Sequence, residues 1–404
     1  MAADTSVKYF SNGLTGAPAI TGVAGSYISF LDAVLVNGFN LKAVATLEVI
    51  DGWAWVTVTA GHGYGDARVV LIDGVTSTPT LNGEKRITSV STTQFKFDCA
   101  GVANGVQDGT LTAKYAPLGW SKTTTGTNTA TYKANGSAVG AGFYVDDSAG
   151  KDAVVYGRGY HNGNTPAQNM SAVYFPKAAS ASAVAWQLIG NNRGFYISTQ
   201  SLYYSYFFSG YIGELVGTHV NDVYNLVTIG ANTTHAATGS TTSDRQNLPI
   251  FDADKGTNLT TYSWKRISRL AYQAPNEGYI TLDFLGSGRT GSSSNSGGMS
   301  GAAYASFYGA SADQPVFPSP LDGGLFLTPV HVFDRPSNTS IGCAYRGRLP
   351  GAYATPQAAV AWYGHGWGIS GVNGLANRNL ICLMGNSNAA ENAIGFIDTT
   401  GPWE

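Results

Sequence analysis

The sequence predicts an all-β protein: a small β-barrel module, then a larger β-sandwich-like domain, preceded by a short N-terminal helical arm. Three observations predict it. Short runs of β-branched and aromatic residues recur along the 404-residue chain, each the length of an ordinary strand. Asp-Gly, Asn-Gly and Gly-rich turns separate these runs. One stretch alone places apolar residues at helical spacing. A chain of this length suffices for two or three domains and buries about 75% of its extended-chain surface, so it needs no covalent staples.

Residues 1–45 form the arm. Thr15-Gly16-Ala17-Pro18 and Thr21-Gly22 are turn or extended chemistry. In Tyr27–Val36, residues Ile28, Leu31 and Leu35 share one helical face at i, i+3 and i+7. Ser26 is placed to cap this helix and Asn37-Gly38 to end it. The helix is expected either to dock on a neighbouring subunit or to pack on its own domain.

Residues 46–116 read as the barrel module. Leu47–Ile50 and Trp53–Val58 flank Asp51-Gly52, a dipeptide that supplies the positive φ values of a type I′ hairpin turn. Further strands are expected at Arg68–Ile72, Lys85–Val90, Gln94–Phe97 and Thr110–Tyr115, with turns at Asp73-Gly74, Asn82-Gly83 and Asp108-Gly109. Short strands with such punctuation fit a small barrel or sandwich.

Residues 117–404 continue as the sandwich-like domain. A second hairpin joins Ala185–Ile189 to Phe195–Thr199 through Gly190-Asn191-Asn192-Arg193-Gly194. The aromatic run Tyr203–Phe208 and Tyr211 are expected to serve partly as core and partly as a protein–protein surface. Strands at Tyr224–Ile229 and Thr281–Leu285 precede a Gly/Ser-rich loop at 286–301, which reads as an exposed or assembly-ordered segment. No fixed internal period is present, which disfavours solenoids and propellers.

Composition narrows the function. Charged residues make up 12% of the chain, against about 25% in ordinary soluble domains. Isolated monomers rely on charge for solubility, whereas subunits of large assemblies hide surface against neighbours. The net charge is −2, with no cluster of five or more Lys/Arg, so no nucleic-acid footprint is expected. No apolar run approaches the ~20 residues of a membrane helix, and no signal peptide opens the sequence. The expectation is a soluble chain made in the cytoplasm.

The chemical motifs are sparse, and neither a catalytic site nor a cofactor or metal site is expected. Gly286-Ser287-Gly288-Arg289-Thr290-Gly291 spells a dinucleotide fingerprint, but the Ser/Gly run after it cannot start the helix whose amides would hold a pyrophosphate. Gly298-Met299-Ser300-Gly301-Ala302 has the wrong glycine spacing for a nucleophile elbow. Cys99, Cys343 and Cys382 are far apart and read as reduced, mostly buried thiols. His62, His161, His219, His235, His331 and His365 never pair at metal-ligand spacing. Trp362-Tyr363-Gly364-His365-Gly366-Trp367 could offer a sugar-stacking platform, although a packed aromatic cluster is the commoner outcome. Asp146-Asp147 could contribute to a calcium site, although a strand-to-turn aspartate bonding its own backbone is commoner.

Several segments together resemble a family of virion structural proteins from tailed bacteriophages. They are Asp4–Phe10, Gly16–Pro18, Ala24–Ser26, Leu31–Ala33, Gly38-Phe39, Leu81–Arg86, Gly119–Lys122, Val145–Asp147, Arg346–Tyr353, and Asp398 with Gly401–Trp403. Residues 60–113 are similar to small β-barrel repeats of phage tail proteins, modules likened to a half-domain of ubiquitin-activating enzymes without their chemistry. The resemblance implies a multi-copy neck, collar or tail protein, located in the virion after synthesis in the host bacterial cytoplasm. Its partners would be copies of itself and neighbouring virion proteins. The rival expectation is a virion protein that binds a host-surface glycan.

Overall fold

In the computed structural model the described residues are 3–137, 140–150, 152–161, 165–169, 173–178, 180–200, 207–217, 226–231, 265–269, 280–281, 321, 323–325, 327–334, 344–354, 365–384 and 394–403. Among the described residues the strands pair antiparallel, in four sheets. The all-β class is therefore as the sequence predicts.

Two sheets build the module. One runs Phe39–Ala43, Gly109–Tyr115, Val69–Val75, Gly83–Arg86; the other runs Thr88–Ser89, Gln94–Asp98, Trp53–Thr57, Thr46–Ile50, Gly105–Val106. Its first strand thus begins at Phe39, inside the segment read from sequence as the arm. The hairpin at Asp51-Gly52 forms as expected: φ is 48° and 79° at the two turn residues, and the pairing runs from Ile50↔Trp53 to Thr46↔Thr57. Leu47, Val49, Ala54 and Val56 alternate into the core, as a half-covered strand requires. Tyr64 ties the sheets together, its ring against both Phe95 and Tyr115.

Asp73-Gly74 is not a turn. It lies within Val69–Val75, where the register with Gly109–Tyr115 slips between Gly109 and Thr112. Gly74 has φ of 86°, and a Cβ there would run into the Thr110 carbonyl. The dipeptide serves a bulge and a close backbone approach. The expected strand Lys85–Val90 is likewise split, because Ile87 turns inward as the chain passes from one sheet to the other.

The largest sheet follows the order Lys8–Ser11, Trp186–Gly190, Gly194–Gln200, Phe207–Glu214, Leu226–Ala231, Val173–Pro176, Asp152–His161, Gly142–Asp146, Thr129–Ala134, Trp120–Gly126. The second predicted hairpin is present, its loop held by Asn191 Oδ1, which accepts from Arg193 N at 2.8 Å and Gly194 N at 3.0 Å. Lys8–Ser11 pairs with Gln187–Gly190, and Ile20 bridges to Val184. The N-terminal segment is therefore sewn into its own chain.

The helix spans Ser26–Leu31 and continues as a wider π-type turn, Asp32–Asn37. Tyr27, Phe30, Leu31, Val34 and Leu35 are fully buried, with Phe30 edge-on to Trp186 at 4.7 Å. This corrects the docking alternative: the apolar face is already covered within the chain. Ser26 is not the cap either, since its hydroxyl donates to the Thr21 carbonyl. The predicted stop is kept, with φ of 73° at Gly38.

The last sheet runs Ile280–Thr281, Thr328–Asp334, Ala344–Ala354, Ile394–Asp398, Leu375–Met384, Gly368–Val372. Val216↔Arg348 bridges it to the large sheet, and the buried Tyr196 hydroxyl donates to the Pro350 carbonyl at 2.9 Å. The predicted Gly/Ser-rich loop 286–301 lies outside the described residues.

Candidate functional site

The residues singled out by sequence separate into distinct environments. Cys99 and Cys382 are buried and free, while Cys343 lies outside the described residues. His62 is buried, with Nε2 2.7 Å from the Ser91 carbonyl and Nδ1 accepting from Tyr64 N at 2.9 Å. Its loop and Gly13–Thr15 frame an open cleft of about 610 Å³. Both ring nitrogens of His62 are engaged by the backbone, so the cleft presents no free acid–base pair from it.

Of the aromatic segment 362–367, residues 365–367 are described. His365 turns inward and stacks on Phe207, centroids 3.5 Å apart and planes at 8°. Burial pulls its pKa down to about 3, leaving a neutral ring. Trp367 is 59% exposed, so its indole is not packed into the core. Trp362 and the sequence 286–302 lie outside the described residues. So do Tyr203, Tyr204 and Tyr206 of the aromatic run; of its remaining members Phe208 and Tyr211 are buried and Phe207 is partly buried.

Asp146 accepts from Ser148 N at 3.0 Å, the local turn bond expected of it. Asp147 does something that neither sequence reading foresaw. Its Oδ2 accepts from Tyr27 N at 2.7 Å and Ile28 N at 3.4 Å, and its Oδ1 pairs with Lys177 Nζ. It caps the helix from across the sheet, at both ends of the pair fully buried. Burial raises its pKa, while Lys177 and the helix amides oppose the rise. These bonds engage both oxygens and leave no reason to invoke calcium. Among the described residues, no three His, Cys, Asp or Glu side chains are grouped to hold a metal ion.

The segments that carry the family resemblance meet one another in space. Arg86 donates to the carbonyls of Asp4 at 2.7 Å, Ala67 at 2.9 Å, Val7 at 3.1 Å and Thr400 at 3.3 Å. One guanidinium thereby joins the module to residues near both ends of the sequence. Its five donors suit it to a cluster of carbonyls. Beside it, Lys8 pairs with Glu84 at 3.0 Å. Trp403 donates to the Asp398 carbonyl at 2.9 Å and lies against Gly351, while Arg378 holds Asp398 at 2.9 Å. On the far side, Asp32 accepts from Lys122 at 2.8 Å and from Tyr132 at 2.7 Å. Trp120 donates to the Asn191 carbonyl at 2.9 Å.

One surface stands apart. The outward face of the five-stranded sheet carries the register row Lys96–Trp55–Glu48–Val106, with Asp98–Trp53–Ile50 beside it. Ile50 is 43% exposed, Trp53 39% and Val106 63%. Lys96 Nζ sits 4.5 Å from the Trp53 ring and 4.9 Å from that of Trp55. The signal for this face was the alternation Trp53-Ala54-Trp55, which sends both indoles to one side. Sequence reading missed it because alternation alone does not say which side is covered.

No protein-family model matches the chain, and no curated protein is significantly similar to it.

Proposed function

We propose that this chain is a structural component of a tailed-bacteriophage particle, present in many copies at the neck, collar or tail, and that it works through contacts with its own copies and with neighbouring virion proteins. The observation that carries the reading is the mutual bonding of the segments that resemble the virion family. Arg86, Lys8, Asp32, Asp147 and Trp120 bond segments distant in sequence, and Trp403 packs on Gly351 and Tyr196, which is scaffold work rather than the lining of a reactive cleft. The low charge of 12% supports the same reading, because subunit contacts replace solvating charge. The test is composition of gradient-purified particles. Mass spectrometry is expected to find the chain at a fixed multi-copy ratio to the shell protein, and cryo-electron microscopy to locate it at the neck or tail. Particles that lack it, with the chain confined to the soluble lysate, would overturn the proposal.

A second reading, binding of a host-surface glycan, is favoured by the 59% exposure of Trp367. An exposed indole is the side chain that stacks on a sugar ring. Adsorption of particles carrying Trp367→Ala separates the two readings.

A further inference from the structure

We infer that the outward face of the five-stranded sheet is a self-association surface, whose occupant is the same face of a second copy of this chain. The inference rests on the multi-copy assembly proposed above and names the contact.

Exposed apolar area alone does not identify an occupant; the charge pattern does. Register places Lys96 on one side of Trp55 and Glu48 on the other. A two-fold axis parallel to strand Trp53–Thr57, lying between two facing sheets, reverses left and right but preserves position along the strand. It sets the partner's Glu48 over Lys96, and Lys96 of the partner subunit over Glu48. It also brings Trp53 and Trp55 onto their own images, and sets Ile50 over the position of Asp98 in the facing sheet, so the charge complementarity comes from the Lys96–Glu48 row alone. A self-complementary patch of this kind is what a two-fold interface demands. Aromatic residues at the centre with charges toward the rim match the anatomy of protein interfaces. Face-to-face sheets pack about 10 Å apart, a gap that two layers of indole fill.

The sheet dimensions set the strength. Strand spacing and rise give a footprint on the order of 300–400 Å² per copy, roughly half of what a stable dimer buries on each side. The contact is therefore weak in the free chain and gains strength from repetition in an assembly. Lys96 held over both rings is already partly ordered, which lowers the cost of fixing it on contact.

The experiment is sedimentation equilibrium of the full chain from about 1 to 300 µM, at low and at high salt. Wild type is expected to self-associate with a dissociation constant in the tens of micromolar, weakened by salt. Lys96→Glu and Glu48→Lys should each raise that constant at least tenfold. The double variant, with the charges exchanged, should return to within about threefold of wild type. Far-UV circular dichroism and thermal unfolding check folding, and Glu48 is exposed, so its variant reports even if the Lys96 variant misfolds.

A wild type that stays monomeric throughout, single reversals without effect, or a double variant no better than the singles would each overturn the inference. Indole fluorescence that shifts with bacterial surface polysaccharide in a chain that stays monomeric would also overturn it, by giving the face to a glycan. Particles that incorporate Lys96→Glu normally would sink this contact and leave the structural reading standing. Absence of the wild-type chain from particles would sink that reading while self-association persisted in solution.

Discussion

The two-sheet module and the twelve-stranded sheet use the same kinds of strand but close over very different lengths of chain. Every partner in the module lies between residues 39 and 115, and its first hairpin turns on two residues. The large sheet pairs Lys8 with Gly190 and reaches to Lys265–Arg269 before its described strands are complete. Closing a longer loop costs more entropy and delays the contacts that offset it. The module is held by turns and by an apolar core that runs on into the helix and the large sheet. The large sheet and the segments that join it to its neighbours are held in addition by buried polar staples, and a chain with only 12% charge spends many of its charges there.

The sharpest way to break this contrast is at Asp147. Asp147→Ala leaves Lys177 buried without its carboxylate and removes the acceptor of two amides at the helix start. Removing one partner of a buried pair costs about 3–5 kcal/mol. Asp147→Ala with Lys177→Met should cost clearly less, since no orphaned ammonium remains. Urea unfolding followed by tryptophan fluorescence measures both; equal losses would show that the pair is not the staple described here.

Acid provides the next largest effect. The folded pKa of His365 lies near 3, held there by burial, against about 6.5 in an unfolded chain. Between these values the unfolded chain binds the extra proton, so the contribution of this residue to stability is whole above pH 6.5 and falls as pH falls toward 3. By pH 4 the loss reaches about 3 kcal/mol. His365→Phe should flatten the pH dependence of thermal unfolding across that window, and an unchanged profile would contradict the buried neutral ring.

Arg86→Ala tests the junction itself. Loss of four carbonyl contacts should cost about 2 kcal/mol, and lysine should rescue little because it lacks the planar fork. Hydrogen exchange is expected to rise first at residues 3–11 and 394–403 while module amides stay protected. Uniform loosening of the module would mean that the arginine supports its interior instead.

Within the module, Gly52→Val is the local probe. Its φ of +79° is costly for a β-branched residue, and a Cβ there would meet nothing nearer than Ala100 Cα at 3.6 Å, so the cost is conformational: about 1 kcal/mol or more. A fragment of residues 39–116 is expected to fold, and to show the same loss on this substitution. An unfolded fragment would mean that Phe10, which packs on Phe39 and Tyr115, is essential to the module core.

What was legible follows the same division. Asp51-Gly52 and Gly190–Gly194 could be read because a tight turn and its flanking strands are local, and register follows from the turn. Asp73-Gly74 misled for the same reason, since a bulge glycine and a turn glycine look alike until the opposite strand is known. Ser26 was the natural cap by sequence, yet the acceptor came from Asp147, whose partner amides are 119 and 120 residues away. Such staples leave no periodicity behind. The Trp53/Trp55 face was half legible: alternation gave the side, and only the packed structure showed that side to be open.

The smallest expected effect falls on Trp367, and it discriminates between functions. Sequence reading favoured a packed cluster over a sugar-stacking platform, and in such a cluster truncation costs about 3–5 kcal/mol. At 59% exposure it has little packing to lose, and surface substitutions of this kind fall within about 0.5 kcal/mol. Trp367→Ala should therefore leave the melting temperature and particle yield unchanged. That makes it a clean probe, because a change in adsorption could not be blamed on misfolding. Under the structural reading, adsorption to host cells stays at the wild-type level. Normal yield with adsorption reduced tenfold or more would instead make the exposed indole part of a glycan contact, and would move the function from scaffold to receptor binding.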